Sequence, residues 1–256
     1  DEIIKKFTSD EVYYSDYSFV TNSQLGLIKR SPATYQHYRD NPSDRPITKA
    51  LNFGKAFHMC MLEHDKYKKE VVVEPDVNKR TKAGKEEYQK FLTLHEGMTI
   101  LSNDEDQSLV GMRKRLTSSV EAMELLSGGV AEQVNIWNDP DTKTPCKGKA
   151  DYWNKDRNIL VDIKTTQDSS PEGFRKSAYK YGYDRQASFY LDGFGVEQFW
   201  FIVIEKSAPY NMAIYNCSEE FLEEGRAKYK HLLDIHDYYF IQELFDPYEH
   251  VYTGTL

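Results

Sequence analysis

Residues Ile159-Leu160-Val161-Asp162-Ile163-Lys164-Thr165-Thr166 read as a buried strand carrying an acid and a lysine two positions apart. Side chains alternate along a strand, so Asp162 and Lys164 share one face while Ile159, Val161 and Ile163 bury on the other. A carboxylate beside an ammonium in apolar surroundings costs desolvation unless something uses both. A second Asp-x-Lys, Asp141-Thr142-Lys143, lies between Asn138 and Pro145 in a turn-like composition, which predicts a solvated copy without chemistry.

Upstream, Lys147-Gly148-Lys149-Ala150-Asp151-Tyr152-Trp153 reads as a strand, and Asn154 to Asn158 as a polar turn. An antiparallel hairpin across that turn brings Asp151 close to Asp162. Two carboxylates at one end of a sheet suit a hard cation, Mg²⁺ or Mn²⁺. The preceding strand, Val130 to Trp137, carries Glu132 near its start. Helical spacing marks Leu51 to Leu62, with His58 inside it, and Tyr183 to Leu191, where Gln186 and Tyr190 stand one turn apart. From the residues alone, His58 fits a satisfied core position more readily than a ligand, and Gln186 and Tyr190 fit plain surface and core positions.

Taken in order, Gly54-x-x-x-His58, Glu132, Gly148-x-x-Asp151, Asp162-x-Lys164 and Gln186-x-x-x-Tyr190 resemble the PD-(D/E)XK nucleases of the RecB-like branch. Thr21-Asn22-Ser23-Gln24-Leu25, followed by Ser31-Pro32-Ala33-Thr34-Tyr35, is similar to the amino-terminal part of the phage and prophage exonuclease VIII (RecE) group. The resemblance spans roughly residues 12 to 245. It implies an α/β fold with a restriction-endonuclease-like core, a central mixed sheet flanked by helices, and an amino-terminal helical extension.

The same resemblance implies that Asp151 and Asp162 hold Mg²⁺, with Mn²⁺ able to substitute, and that the Ile163 carbonyl and His58 complete the shell. Glu132 then helps to hold a second metal or its water, and Lys164 orients the attacking water or stabilises the transition state. Gln186 and Tyr190 position the scissile phosphate or Lys164. Ser23, at a helix start, can receive a terminal phosphate through its hydroxyl and the free amides, with Arg30 adding charge. An N-cap role for Asn22 or Ser23 explains these residues equally well. The activity implied is 5′-to-3′ digestion of linear double-stranded DNA, leaving 3′ tails for a single-strand annealing recombinase. A homotetrameric ring and the cytoplasm of a bacterial host, with phage or prophage origin, complete the expectation. A RecB-like nuclease of other polarity, an endonuclease and a catalytically silent DNA-binding member are the alternatives; the intact Asp151, Asp162 and Lys164 set argues against silence.

Composition bounds the rest. The 256 residues contain no Pro/Gly/Ser-rich linker, which predicts one domain with a helical extension to about 126 and a catalytic core over about 127–245. No apolar run is long enough for a membrane span and no signal peptide opens the chain. Asp1 in place of Met suggests a piece excised from a longer protein. Cys60, Cys146 and Cys217 are too few and too scattered for a four-cysteine iron-sulfur cluster, and suit a reducing compartment. The net charge of −8 is unlike a generic DNA-binding module, but basic residues gather locally at Lys79 to Lys85, Arg113 to Arg115, and Arg175, Lys176, Lys180 and Arg185. Arg113 to Arg115 reads better as a solvated helix face. Periodicity predicts helices near 22–30, 32–39, 47–64, 83–95, 104–126, 171–180, 184–194 and 218–243. Strands are expected near 130–138, 146–154, 158–165, 197–205 and 211–216.

Overall fold

The computed structural model describes residues 4–7, 9–46, 48–243 and 246–249. Its amino-terminal part comprises α1 (Asp10–Ser15), α2 (Asn22–Arg30), α3 (Pro32–Asp40), α4 (Lys49–Leu62), α5 (His64–Glu70), β1 (Val71–Val73), α6 (Lys82–Leu94), β2 (Thr99–Leu101), α7 (Asn103–Thr117) and α8 (Val120–Leu125). There follow β3 (Val130–Asn138), β4 (Pro145–Asn154), β5 (Ile159–Thr166), α9 (Pro171–Tyr181), α10 (Tyr183–Phe194), β6 (Gln198–Glu205), β7 (Met212–Asn216) and α11 (Glu219–His236).

The strands β3 to β7 form one mixed sheet in sequence order; β5 and β6 run parallel, and the other neighbours antiparallel. The parallel step needs a crossover, which α9 and α10 supply. Central strands covered on both faces read as continuous apolar runs, and β5 and β6 do so. Ile159, Val161 and Ile163 join Ile202 and Ile204 in a core that also holds Phe57 of α4 with Leu109 and Met112 of α7. Leu160 joins Phe199, Phe201 and Val203 against Phe174, Ala187 and Phe194 of α9 and α10. A third cluster packs Leu25, Ile28 and Tyr35 of α2 and α3 against Phe189 and the α11 residues Tyr229, Leu232 and Leu233. The expected mixed sheet with helices on both sides is therefore present. The cysteines sit in separate packing environments, Cys60 and Cys146 buried and Cys217 half-buried.

Three helices differ from their predicted extents. The run expected over 104–126 is two helices, because Thr117 and Ser118 hydroxyls donate back to the Arg113 and Arg115 carbonyls and Ser119 caps a new start by accepting from Ala122 N. Such side-chain bonds to the local backbone compete with helix continuation. The first long helix stops at Leu62 and restarts at His64; the last ends at His236 in a π turn over Asp237–Ile241. The pair β1 and β2, three residues each and parallel, is too short to leave a periodic signal.

The fork that positions the site comes from how β4 shares its inner edge. Residues 152–154 pair with β5, in register Tyr152 to Val161. At the other end Val20 pairs with β4 instead, its amide donating to the Pro145 carbonyl at 2.8 Å and its carbonyl accepting from Lys147 N at 2.9 Å. This segment is pinned by Lys147, which is wholly buried and donates to the carbonyls of Tyr13 and Asp16 at 2.6 and 2.8 Å. Burial first, and then Lys6, pull the Lys147 pKa down to about 8 against the opposing effect of Asp16.

Gly54, one turn before His58 on α4, meets no atom within 4 Å of where a Cβ would stand. Packing does not require this glycine, so Gly54→Ala should stabilise the DNA-free protein by about 0.5–1 kcal/mol through helix propensity alone. A rise of roughly 1–4 °C in melting temperature would register it, and a fall would show that the helix backbone there needs glycine.

Candidate metal centre

In the β4–β5 register, Asp151 stands opposite Asp162, just beyond the last paired residues Tyr152 and Val161. The strands have parted here, and the Ile163 amide donates to Asp151 Oδ2 at 2.9 Å rather than to a β4 carbonyl. The N–H and C=O of one strand residue point to the same edge, so the Ile163 carbonyl also faces the fork. Glu132 lies across from Asp151 on the other side, between the pairs Ala131 to Tyr152 and Gln133 to Ala150. Its φ of 52° breaks the ladder there, a left-handed conformation that costs a non-glycine residue energy and clusters at functional positions.

His58, Glu132 and Asp151 offer ligand atoms that all lie within 4.8 Å of one another, with His58 Nδ1 3.3 Å from Asp151 Oδ2. Asp162 is not one of this close trio. It is 2% exposed, its Oδ2 accepts from Gln186 Nε2 at 2.7 Å, and Lys164 Nζ lies against its Oδ1. Lys164 also sits 5.0 Å from the centre of the Tyr183 ring. Tyr190 packs on β4 at Gly148, where a Cβ would come within 3.0 Å of the ring; this is the physical reason for glycine at that motif position. Burial keeps the Tyr190 hydroxyl protonated well above the usual tyrosine range.

Beside these groups lies a cavity of about 190 Å³ lined by Tyr14, Asn22, Ser23, Lys149, Gln186 and Tyr190, among others. Ser23 is thus brought to the centre, whereas Arg30 is exposed at the far end of α2. The helix cap is neither Asn22 nor Ser23 but Thr21, whose hydroxyl accepts from Gln24 N while Gln24 Oε1 accepts from Thr21 N. Asn22 instead accepts from Arg185 through its side chain at 2.9 Å and its carbonyl at 3.2 Å. Arg185, expected in a basic surface run, is therefore a buried brace; Arg113 likewise donates to the Cys60 and Met61 carbonyls near the end of α4. Lys149, which the sequence reading passed over, pairs with Glu132 Oε2 at 2.6 Å. Asp141 and Lys143 lie in the exposed turn expected for them, Asp141 pairing with Lys230 and Lys143 donating to the Pro140 carbonyl. A larger open hollow of about 630 Å³ on α6, lined by Glu86, Lys90 and Leu94 among others, lies apart from these groups.

The electrostatics favour a divalent cation. Burial and Asp151 push Asp162 up to about 6 despite Lys164. Burial raises Asp151 as well, and burial together with Asp151 raises Glu132. Burial, then Lys164, pulls His58 down to about 4, which leaves a neutral imidazole able to ligate. Asp162 Oδ1 is buried against the Lys164 ammonium, which offsets part of this negative charge. Oxygen donors with one imidazole nitrogen, held close against their own repulsion, fit Mg²⁺ or Mn²⁺.

The sign of the pH dependence follows. A carboxyl raised from 3.8 to about 6 contributes stability below pH 3.8 that is lost as pH rises through 6. A cation must displace that proton, so Mn²⁺ affinity should fall about tenfold per pH unit below 6 and level off above 7. Calorimetric titrations at pH 5, 6 and 7.5 check this; a flat affinity would remove Asp162 from the ligand set.

The family model for the PDDEXK-like domain of unknown function DUF3799 matches residues 21–239. No curated protein matches the chain. A presumptive exonuclease from Eubacterium rectale is similar over 97% of this chain and 95% of its own, at 12% identity and a TM-score of 0.63, a likeness of fold. A phage-related exonuclease from Haemophilus somnus covers 74% of this chain and 95% of its own at 14% identity, with a TM-score of only 0.33. With its family model covering every strand of the five-stranded sheet together with His58, Glu132, Asp151, Asp162 and Lys164, the chain belongs to the PDDEXK-like DUF3799 family.

Proposed function

We propose that this chain is a Mg²⁺-dependent deoxyribonuclease that digests linear double-stranded DNA from its ends. The observation that carries the reading is the convergence of His58, Glu132, Asp151, Asp162, Lys164 and Gln186, from five separate elements, on one fork beside a cavity. Asp151, Asp162, His58 and the Ile163 carbonyl would hold the cation, with Glu132 at the edge of the group. Bound there, Mg²⁺ supplies Lewis acidity toward a phosphodiester and a nucleophile usable near neutral pH. Lys164 places positive charge where negative charge would build on the phosphoryl oxygens, and Gln186 fixes the Asp162 carboxylate that faces Lys164. Tyr190 and Ser23 line the space in which a phosphate would sit.

The finer reading is 5′-to-3′ resection that leaves 3′ tails for a single-strand annealing recombinase, by a homotetrameric ring in a bacterial cytoplasm. Its support is the resemblance of Thr21 to Leu25 and Ser31 to Tyr35 to the exonuclease VIII group, and the seat of Ser23 at the cavity. Among the described residues no helix is long and apolar enough to cross a membrane. Linear duplex labelled at either end and closed circular duplex, each with Mg²⁺ or EDTA, make the test. Early release of the 5′ label, an intact circle and no product in EDTA are expected. A nicked circle would point to an endonuclease, early loss of the 3′ label to the opposite polarity, and binding without cleavage to a silent member.

A further inference from the structure

Each carboxylate of the fork already has a partner. Asp162 faces Lys164, Asp151 accepts the Ile163 amide and lies beside His58, and Glu132 faces Lys149. The last pairing differs from the others, because Lys149 also borders the cavity that holds Ser23, Gln186 and Tyr190. Its ammonium and the Glu132 carboxylate are both mostly buried, at 18% and 16% side-chain exposure, so solvent screens the pair poorly. Glu132 at the same time belongs to the trio whose ligand atoms fall within 4.8 Å of one another. A divalent cation taken up by that trio would lie across one carboxylate from an ammonium, and the two positive charges repel strongly at such separations.

We propose that Lys149 is a tethered counter-cation that occupies Glu132 in the DNA-free protein and moves to a substrate phosphate in the adjoining cavity, so that DNA binding and divalent-cation loading reinforce each other. The inference rests on the nuclease reading and assigns the coupling to one side chain. A lysine stem is long and flexible and its ammonium is a point charge with three donors, which suits exchange between a carboxylate and a phosphate. The coupling is reciprocal by linkage: whatever DNA adds to cation affinity, the cation adds to DNA affinity.

Calorimetric titration with Mn²⁺ tests it, on wild type, Lys149→Met, Lys149→Arg and the double variant Lys149→Met with Glu132→Gln. Each is titrated alone and with a duplex oligonucleotide whose terminal linkages are phosphorothioates resistant to cleavage. Wild type should bind Mn²⁺ about tenfold more tightly with the oligonucleotide than without. Lys149→Met, which keeps the apolar stem, should bind that tightly without DNA and gain little from it. Lys149→Arg should retain the coupling, and Glu132→Gln should erase the gain of Lys149→Met. A Lys149→Met protein that binds Mn²⁺ no more tightly than wild type, or a gain that survives Glu132→Gln, overturns the proposal. If wild type nevertheless binds Mn²⁺ and cleaves DNA, the nuclease reading stands and only the role of Lys149 fails; absence of both Mn²⁺ binding and cleavage in wild type removes the two together.

Discussion

Asp162→Ala should abolish cleavage, lowering kcat/KM by at least about 10³-fold, because on the proposed function it removes one of the carboxylates that would hold the cation. The fold should survive. Asp162 lies where β5 leaves β4, and its backbone remains paired with Phe201 of β6. Burial has already driven its carboxyl up to about 6, so the charged form is held at a cost that alanine does not carry. Lys164 loses one partner but keeps the field of Asp151. The metal-free variant should therefore melt within a few degrees of wild type, while the rise in melting temperature that Mn²⁺ gives wild type disappears. Full activity, or an undiminished Mn²⁺ effect, would remove Asp162 from the site.

That residue was legible because strand parity is a local property. Two-residue spacing puts Asp162 and Lys164 on one face whatever the rest of the chain does, and the turn at 154–158 sets the hairpin register that faces Asp151 toward Asp162. The same parity argument, applied to β4, puts Lys147, Lys149 and Asp151 on one face. It was the signal that could have found Lys149. The capping box Thr21-x-x-Gln24 was equally readable, and it would have assigned the cap to Thr21 and left Ser23 to the cavity.

Other features depend on partners far away in sequence and leave no local trace. Lys147 looks like a surface lysine until the Tyr13 and Asp16 carbonyls fold over it, and Arg185 looks like part of a basic face until Asn22 docks against it. The left-handed Glu132 is invisible in a strand-like sequence, since nothing in Ala131-Glu132-Gln133 demands positive φ. The fork itself exists because Val20, more than a hundred residues upstream, occupies the edge of β4 that β5 vacates. Short-range pattern thus located the candidate residues that the fold brings together, and long-range pairing decided how open the space around them is.

Lys164→Ala should lower kcat by roughly 10²–10⁴-fold while leaving DNA affinity and Mn²⁺ binding within a few-fold of wild type, the pattern of a group that acts chiefly in the transition state. Its electrostatics say which kind of group it is. Burial works against the ammonium, but Asp162 and Asp151 outweigh it and hold the Lys164 pKa above the usual lysine value. A lysine so placed keeps its proton at neutral pH and serves as a fixed positive charge and donor rather than as a general base. Lys164→Arg should accordingly retain measurable turnover, since arginine keeps the charge but changes the geometry, whereas Lys164→Met should match alanine. Lys143→Ala, in the exposed turn, should be indistinguishable from wild type. Single-turnover cleavage, with DNA affinity measured separately in EDTA, separates the outcomes. Equal damage from Lys143→Ala and Lys164→Ala would mean that the wrong Asp-x-Lys had been chosen; a Lys164→Arg protein as inactive as Lys164→Met would argue for proton transfer by the lysine itself.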